Sequence, residues 1–489
     1  MRKQKSIKLN FIMNALLTMS SFIFPLITFP YVSRVLLPTG TGKVSFATSL
    51  ISYFTMFSQL GIPTYGIRAC ARVRDNKNEL TRTAHELLII NLIMAFISYV
   101  VLAFALLFVS RLHEDRLLYL IVSLSILLNA IGMEWLYKAL EQYTYITTRS
   151  IIFKFIALIG MFALIHSPDD YIFYGFLSIF AASASNVFNF IYAHKFIGIK
   201  VVGKYDFKRH LKPIAVFFAM ACATTIYTHL DTVMLGFMTS DEDVGYYNAA
   251  VKIKHILVSV VTSLGTVLLP RASYYIEHNK IEEFKRISQK ALNFVFIVAT
   301  PMMLYFILFA KQGILFLSGS NYEGSIVPMQ IIMPTLLLIG ITNILGLQIL
   351  VPLGKEKVVL YSEIAGAVVD LILNVILIPK FTSAGAAIGT LAAELAVFVV
   401  QYVALKNQMG EAFKKIHYHR ILLGLLLGTM LSIWIVQFKL SNFITLLISA
   451  TLFFGAYGGF LLATKEPLVI EIFYQIANGV SKKLGIRKK

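Results

Sequence analysis

The sequence is poor in cysteine and in charge, and each shortage excludes a class of protein. Its 489 residues include two cysteines, Cys70 and Cys222, which lie far apart in the chain. Two such cysteines predict neither a disulfide framework nor a metal site of closely spaced thiolates. Charged residues make up 14% of the chain, whereas soluble domains carry roughly a quarter. A soluble protein of this size is therefore excluded.

Two further absences bear on enzymatic function. The sequence has no Gly-rich phosphate-binding motif of the Walker type, which excludes ATP hydrolysis by this chain. No loop on the predicted outer side exceeds about fifteen residues, and none gathers a Ser/His/Asp set, paired carboxylates or metal ligands. These absences predict a protein that is not an enzyme. An enzyme whose site is built from intramembrane residues alone is the alternative.

The residues that are abundant are apolar. Hydrophobic residues make up 57% of the chain, and the mean hydropathy is +0.75. Apolar runs of about 20 residues, the length that crosses a bilayer, recur throughout. We therefore predict an all-α polytopic membrane protein of about 14 transmembrane helices. The predicted spans lie near 10–33, 42–63, 85–110, 117–138, 149–166, 170–194, 213–238, 244–270, 290–310, 325–352, 357–379, 384–406, 420–438 and 441–463. The first run is too long for a cleavable signal peptide and is predicted to be a membrane helix.

The cations are distributed unequally between the two sides of these spans. Of the 44 Lys and Arg residues, about 34 fall at the N-terminus, in the loops after even-numbered spans and in the C-terminal tail, whereas about seven fall in the opposite loops. The opposite loops are acidic, as in "SPDD" (167–170) and "SDED" (240–243). This bias predicts that both termini are cytoplasmic. It also explains the net charge of +19 without any nucleic-acid partner.

A faint repeat of about 203 residues divides the chain and suggests transport. Each series of six spans has a short outer turn after its first span and a glycine that opens the second, at Gly42 and Gly245. Two parallel bundles around a central cavity are a transporter architecture that works by rocking. The predicted parts are an N-terminal six-helix lobe (1–194), a basic cytoplasmic linker (195–212), a C-terminal six-helix lobe (213–406), and two additional helices with a basic cytoplasmic tail (407–489).

Several ionisable residues lie inside predicted spans, where each costs about 2.5–3.5 kcal/mol on insertion scales. Asp231 lies in the seventh span beside His229, and Asp370 and Asn374 share one face of the eleventh. Thr390 lies in the twelfth span, four residues before Glu394. These oxygens are candidates for coupling transport to Na⁺ or H⁺, either as ligands of a small cation or through protonation of Asp231. Structural pairing within the bundle is the alternative.

Cations at the spans form a second set of candidates. Lys252 and His255 share a face of the eighth span, with Lys254 to one side. They are either an anion-attracting wall or part of an ion pair. Lys154 and Glu134 are expected near the cytoplasmic ends of their spans, where they extend to the interface or pair across helices.

Four blocks of the sequence resemble a known family. They are "PLITFPYVSRVL", "SYFTMFSQLGIPTYGIRACARVRDNK", "GMEWLYKALEQYTYITTRSIIFK" and "HLDTVMLG…VGYYNAAVKIK". They are similar to the bacterial oligosaccharide flippases (RfbX/Wzx-like) of the multidrug/oligosaccharidyl-lipid/polysaccharide exporter superfamily. The likeness covers most of the first twelve spans. One departure is Leu37 in "RVLLPTGTG", where such proteins often have glycine.

The resemblance implies a substrate, a location and a set of partners. The substrate would be an undecaprenyl-pyrophosphate-linked oligosaccharide repeat unit. It would be moved from the cytoplasmic to the outer face of the bacterial plasma (inner) membrane, for capsule or O-antigen-type polysaccharide. A glycan polymerase and chain-length machinery are the expected partners, and no cofactor is expected. The fold implied is two six-helix lobes in a V, open alternately to either side.

The resemblance also suggests roles for the candidate residues. Arg34 and Lys43 at the outer mouth would receive the pyrophosphate head group, and Lys252 and His255 would hold it midway. Alternatively, Arg34 only anchors a helix end. Some relatives carry a sodium site with an acidic residue on helix seven and an Asn-x-x-x-Asp pair on helix eleven, whereas this chain has the order Asp370-x-x-x-Asn374.

Three rival functions are left by the sequence. A multidrug or cation antiporter of the same superfamily would have an acid-dominated cavity. A membrane-embedded glycan polymerase would need a large outer loop. A non-transporting scaffold of a glycan assembly complex is the third.

Overall fold

The computed structural model describes residues 7–471 and 473–474, and every regular element in that part of the chain is a helix. The prediction of an all-α polytopic membrane protein is confirmed. The predicted cations at Arg2, Lys3 and Lys5 and in the tail 481–489 lie outside the described residues. Packing divides the chain into two compact units that meet between Asn248 and Ala249. The expected lobes 1–194 and 213–406 with their linker stay a prediction.

The first unit contains nine helices and the start of a tenth. They are α1 (Ile7–Gln59), α2 (Ile62–Arg72), α3 (Lys77–Phe108), α4 (Arg116–Ile131), α5 (Glu134–Ala139), α6 (Tyr143–Leu164), α7 (Tyr171–Ile179), α8 (Asn186–Tyr192), α9 (Lys208–Met238) and the first turns of α10 (Asp241–Glu277). One buried cluster of this unit gathers α2, α5 and the first turns of α3 around Ile62, Leu87 and Leu136. Phe196 and Ile197, which follow α8, belong to the same cluster.

The second unit continues α10 and contains seven more helices. They are α11 (Ile281–Leu308), α12 (Ala310–Ser318), α13 (Ile326–Ile332), α14 (Thr335–Asn343), α15 (Glu356–Lys414), α16 (Tyr418–Ser432) and α17 (Asn442–Ala463). A buried cluster of α11, α16 and α17 centres on Tyr305, Leu425 and Phe453. Large apolar side chains also cover outward faces in both units, as Phe108 (76% exposed) and Met430 (69% exposed) illustrate. Such apolar faces are suited to contact with lipid.

Ten helices in the described part are long and apolar enough to cross a membrane. The number becomes eleven if the pair Ser320–Ile332 and Thr335–Leu350, bent by 46°, is counted as one span. Two helices are far longer than one crossing needs, since α1 has 53 residues and α15 has 59, against about 20 for a bilayer. The count of fourteen spans stays a prediction.

Each of these two long helices contains a break in its backbone. Leu37 in α1 has φ 60° and ψ 176°, and Thr382 in α15 has φ 46° and ψ −123°. Neither pair of angles is helical, so each long helix is two helical halves joined at one residue. The predicted spans 10–33 and 42–63 lie on either side of Leu37, and 357–379 and 384–406 lie on either side of Thr382.

A close crossing in the first unit joins two glycines that lie 203 residues apart. A Cβ atom at Gly42 would lie 1.7 Å from the carbonyl oxygen of Asp241, and one at Gly245 would lie 2.1 Å from that of Pro38. Only glycine allows this approach. Pro38 and Asp241 are also 203 residues apart. Each contact therefore joins a residue of one repeat to a residue of the other, and the two contacts are equivalent, as a repeated structural unit requires.

Candidate functional site

Arg34 and Lys43 lie on opposite sides of the break in α1. The Arg34 guanidinium is exposed and donates a hydrogen bond to the Pro30 carbonyl oxygen. The Lys43 ammonium lies 3.0 Å from an oxygen of Asp115, which is almost fully buried. The Tyr171 hydroxyl donates to the same oxygen at 2.7 Å, and the Lys43 ammonium lies 4.8 Å from the Tyr171 ring centre. Lys43 is therefore neutralised by its ion pair with Asp115. The Arg34 side chain lies at the surface.

Asp231 lies in the interior of the first unit. It is 5% exposed, and the Tyr247 hydroxyl donates to its Oδ2 at 2.5 Å. One residue further along α9, Thr232 accepts a hydrogen bond from the Asn248 amide at 3.3 Å. These contacts join α9 to the start of α10. The Asp231 carboxylate is thus an interior oxygen ligand already oriented by a hydroxyl.

The three neighbouring cationic side chains near the middle of α10 differ in burial from the expectation. His255 is exposed and Lys252 is half-buried, whereas Lys254 is only 8% exposed. Helical spacing predicts that Lys254 lies beside the face that Lys252 and His255 share. Lys252 and His255 are three residues apart, which suits a shared helix face. The buried amine is that of Lys254, which lies between them in the sequence.

Asp370 and Asn374 pack against Gly389, the residue before Thr390, where the two halves of α15 pack against each other. Asp370 and Asn374 are buried on the first half, with 2% and 0% exposure. A Cβ atom at Gly389, on the second half, would lie 2.3 Å from the Asn374 amide oxygen and 2.9 Å from an oxygen of Asp370. The next residue, Thr390, donates within its own helix to the Ala386 carbonyl oxygen at 3.0 Å.

The packing of α15 continues on both sides of these residues. A Cβ atom at Gly385 would lie 2.4 Å from the Leu377 carbonyl oxygen. Further along, the Gln401 amide donates to the Ser362 hydroxyl at 3.0 Å. The α15 halves therefore form a tight antiparallel hairpin with a buried polar seam. Its carboxylate and amide oxygens are of the type that suits a hard cation, although no group of three His, Cys, Asp or Glu side chains in the described part is arranged for a metal.

Sequence reasoning missed a buried charge cluster around Glu86 in α3. The Glu86 side chain has no exposed surface. Its Oε1 accepts bonds from the Arg82 guanidinium at 3.1 Å and from the Asp206 backbone N–H at 2.6 Å. Its Oε2 lies 2.5 Å from the Arg209 guanidinium and 2.8 Å from His210 Nε2. One carboxylate thus joins α3 to the start of α9.

The first turns of α3 also bind the segment that precedes α9. The Gly198 N–H donates to the Thr81 hydroxyl at 2.9 Å, and the Gly198 carbonyl oxygen lies 2.9 Å from His85 Nε2. His85 Nδ1 lies 3.1 Å from the Tyr205 hydroxyl. The basic segment 195–212 is therefore fastened to α3 at both ends. The sequence signal for this cluster is an acidic residue, Glu86, that directly precedes an apolar run, together with the basic segment "KRHLK" (208–212).

Lys154 is the second site residue whose position the sequence did not reveal. The expectation that it lies near the cytoplasmic end of its span stays a prediction; α6, which carries it, begins at Tyr143, before the predicted start at 149. Its ammonium donates to the hydroxyls of Ser20 and Ser21 at 2.8 and 2.9 Å. Glu134 instead pairs with Lys138 of its own helix at 2.8 Å.

Comparison with known proteins identifies the family. The family described as "Polysaccharide biosynthesis protein" matches residues 7–276, which is more than half of the chain. The chain belongs to this family. A second family, MatE, matches residues 216–376. The resemblance drawn from the sequence blocks is confirmed.

Curated relatives of this polysaccharide biosynthesis protein are similar over most of its length. "Putative O-antigen transporter" of Escherichia coli (strain K12) is 24% identical over 404 residues, which cover 82% of this chain and 97% of the relative. The protein of the same name from Shigella dysenteriae is 24% identical over 420 residues, covering 82% and 100%. The family and these relatives are transporters, so the prediction of a multi-pass membrane transporter rather than an enzyme is confirmed.

A solved structure agrees with the fold. It is described as "Lipid II flippase MurJ, inward closed conformation" and superposes with a TM-score of 0.69 at 18% identity. The match covers 92% of this chain and 99% of the other. The chain therefore shares this helical fold over nearly its whole length.

Proposed function

We propose that the chain is a flippase for undecaprenyl-pyrophosphate-linked oligosaccharide repeat units. It moves them from the cytoplasmic to the outer face of the bacterial plasma membrane by alternating access, and they then enter capsule or O-antigen-type polysaccharide. The observation that carries the proposal is the similarity to two O-antigen transporters over 82% of the chain. The fold shared with a lipid II flippase over 92% of the chain supports it.

The charged residues fit this transport in two ways. A pyrophosphate that leaves water loses its hydration, and cations along its path offset that loss because attraction strengthens as the dielectric constant falls. We propose that Arg34, Lys252 and His255 supply such charges. Lys43 forms an ion pair with Asp115. We also propose that Asp231 and the seam of Asp370, Asn374 and Thr390 couple transport to Na⁺ or H⁺.

Topology and partners complete the proposal. Both termini face the cytoplasm, as the excess of Lys and Arg on one side of the spans indicates. The flipped repeat unit is passed to a glycan polymerase and its chain-length machinery.

Depletion of the protein in its host tests the function. A flippase deficit leaves lipid-linked repeat units on the inner leaflet, where reagents that cannot cross the membrane do not reach their sugars. Build-up on the outer leaflet would instead point to the glycan polymerase that the sequence left as a rival.

A multidrug or cation antiporter is the second candidate, and the MatE match over residues 216–376 favours it. It predicts that loss of the protein increases sensitivity to cationic drugs while lipid-linked repeat units still reach the outer leaflet. The two measurements on one depletion strain separate the candidates.

A further inference from the structure

The first half of α1 and α6 lie side by side, parallel and in register. The Thr147 hydroxyl donates to the Met13 carbonyl oxygen at 2.9 Å near one end of the pair. The Tyr31 hydroxyl donates to the Ile165 carbonyl oxygen at 2.6 Å near the other. Between them lies the bond from Lys154 to Ser20. In all three contacts the partners are 134 residues apart, as expected for parallel helices of equal rise.

This register places the Lys154 side chain level with the middle of both helices. Lys154 lies in the middle of α6 (Tyr143–Leu164), about 16 Å from either helix end at 1.5 Å per residue. The hydrocarbon core of a bilayer is about 30 Å thick. The head groups of both leaflets are therefore out of reach of an ammonium at this depth, and resident phospholipid phosphates cannot neutralise it.

The polar neighbours of Lys154 are two hydroxyl groups and, at longer range, the Glu134 carboxylate. The hydroxyls satisfy hydrogen bonds but carry no negative charge. Within the described part of the chain, no carboxylate lies within 4 Å of this ammonium. An ionisable residue inside a membrane span is costly and is by default associated with function. A bound anion would pair with this ammonium at short range.

An apolar groove of about 290 Å³ runs beside this ammonium. It is lined by α1 and α6 with Leu16, Met19, Ser20, Ile23, Phe24, Ile27, Ile151, Lys154, Phe155 and Leu158. Every lining residue other than Ser20 and Lys154 is apolar, so the groove suits a hydrocarbon chain. Lys154 is its only charged lining residue among those the structure describes.

A polar strip lies on the other side of Lys154. Asn14, Thr18 and Ser21 follow one another on α1 at spacings of four and three, which places them on one face. Thr18 and Ser21 are exposed there, as is Asn14. Lys154 donates to a serine on each surface, since Ser20 lines the apolar groove and Ser21 belongs to the polar strip. An ammonium at the boundary of an apolar and a polar surface matches the phosphate of a molecule with a hydrocarbon tail and a sugar head.

We propose that Lys154, Ser20 and Ser21 form a mid-membrane site for the pyrophosphate of the polyprenyl-linked substrate, with the polyprenyl chain in the α1–α6 groove. The inference rests on the proposed flippase function and adds a position at which the head group pauses during its crossing. The sugars lie along Asn14 and Thr18. Charge-assisted bonds from one ammonium and two hydroxyls replace part of the hydration that the pyrophosphate loses.

Binding to the purified full-length chain in phosphatidylcholine nanodiscs tests the site, with undecaprenyl pyrophosphate as the probe. We expect Lys154→Met to weaken binding by at least about tenfold, because the only compensating charge is lost. Lys154→Arg keeps the charge and stays within about threefold of the unchanged chain. Lys285→Met is the matched control, since that lysine pairs with Glu282 at the exposed surface of α11, and it leaves binding unchanged.

Competition identifies the occupant. Inorganic pyrophosphate at the same concentration does not displace the probe, because it makes no use of the groove. Equal displacement by phosphatidylglycerol would overturn the proposal and assign the groove to bulk anionic lipid.

A purely structural role for Lys154 gives a different pattern. If the lysine only ties α1 to α6, Lys154→Met and the double variant Ser20→Ala/Ser21→Ala both lower the unfolding temperature, and Lys154→Met binds the probe normally. That result overturns the site. Normal binding by Lys154→Met with intact glycan export removes the site but not the flippase function, whereas binding by the unchanged chain without transport removes the function but not the site.

Discussion

At the scale of single residues, Glu86 decides how the segment before α9 is held. Its carboxylate is fully buried and meets two guanidinium groups and an imidazole. Removal of this buried acceptor leaves two partly exposed guanidinium groups and the buried His210 imidazole without their shared partner, which is more costly than the loss of an exposed pair. The cluster therefore makes the basic segment 195–212 a fixed part of the first unit.

We expect Glu86→Ala to lower the free energy of unfolding by about 3–5 kcal/mol. Glu134→Ala is the control, because its pair with Lys138 is exposed and is worth at most about 0.5 kcal/mol. Thermal unfolding of the detergent-purified variants measures both. Equal losses in the two variants would contradict a special role for Glu86.

Leu37 is a second decisive residue, because its φ of 60° and ψ of 176° fall in a region that only glycine occupies readily. Such a conformation costs a larger residue about 1–3 kcal/mol. The family resemblance places glycine here, and the chain keeps the bend with leucine. We expect Leu37→Gly to raise the unfolding temperature, by less than the full relief of strain because the half-buried side chain is lost.

The neighbouring Leu36 provides the matched control. It is 1% exposed and belongs to a regular helical turn, so Leu36→Gly removes buried apolar surface and lowers the unfolding temperature. A drop of similar size for Leu37→Gly would show that this side chain, rather than the backbone angle, matters at the break.

The sequence located charged residues in apolar runs but could not identify their partners. Lys43 was recognised as a cation beside the break, while its pairing with Asp115 depends on α1 and α4 being neighbours. Lys254 was set aside because helical spacing does not reveal which face is buried. The start of α6 at Tyr143 precedes the predicted span because the first turn of this helix is polar.

At the scale of elements, the hairpin of α15 brings together the polar residues that periodicity had assigned to separate spans. Asp370 and Asn374 lie against Gly389, and Gln401 reaches Ser362. The glycines allow the two halves to approach closely, as small residues do at membrane helix interfaces. The polar seam is therefore held by backbone proximity.

We expect Gly389→Ala to destabilise the protein and to impair glycan export, because the added Cβ would overlap the Asn374 and Asp370 oxygens. Gly410→Ala in the same helix is the control. A Cβ atom there meets nothing within 4 Å, and alanine in a helix is favoured over glycine by about 1 kcal/mol. Unfolding temperature and surface glycan at matched protein levels are the measurements; unchanged export by Gly389→Ala would argue against a role for the seam.

Apolar run length was sufficient to predict helical stretches, since each predicted run lies mainly on helix in the described residues. It could not show that two pairs of spans are joined through a single non-helical residue, because Leu37 and Thr382 are not residues that usually mark a turn. The bend between α13 and α14 lies at Met333 and Pro334, where proline cannot donate the backbone hydrogen bond of a continuous helix.

At the scale of the whole molecule, the repeat is expressed in the crossing of Gly42 and Gly245. Gly42 lies against the Asp241 carbonyl oxygen, and Gly245 lies against the Pro38 carbonyl oxygen. Pro38 and Asp241 occupy equivalent positions in the two repeats. The faint similarity in sequence thus corresponds to a reciprocal contact, which composition could not have revealed because it depends on the path of two distant turns. The family, the membrane location and the transporter class were all accessible from the sequence blocks, since these are long and contiguous.

The central claim is that this chain itself moves a lipid-linked oligosaccharide across a bilayer. The most direct measurement uses the purified full-length protein in sealed liposomes that carry an undecaprenyl-pyrophosphate-linked oligosaccharide, with a glycosidase added outside. We predict that the protein brings the inner-leaflet half of the lipid into reach of the enzyme, so that cleavage rises from about half toward completion. Cleavage that stops at the outer-leaflet half, in liposomes shown to contain folded protein and with Na⁺ and H⁺ gradients of either direction, would contradict the claim.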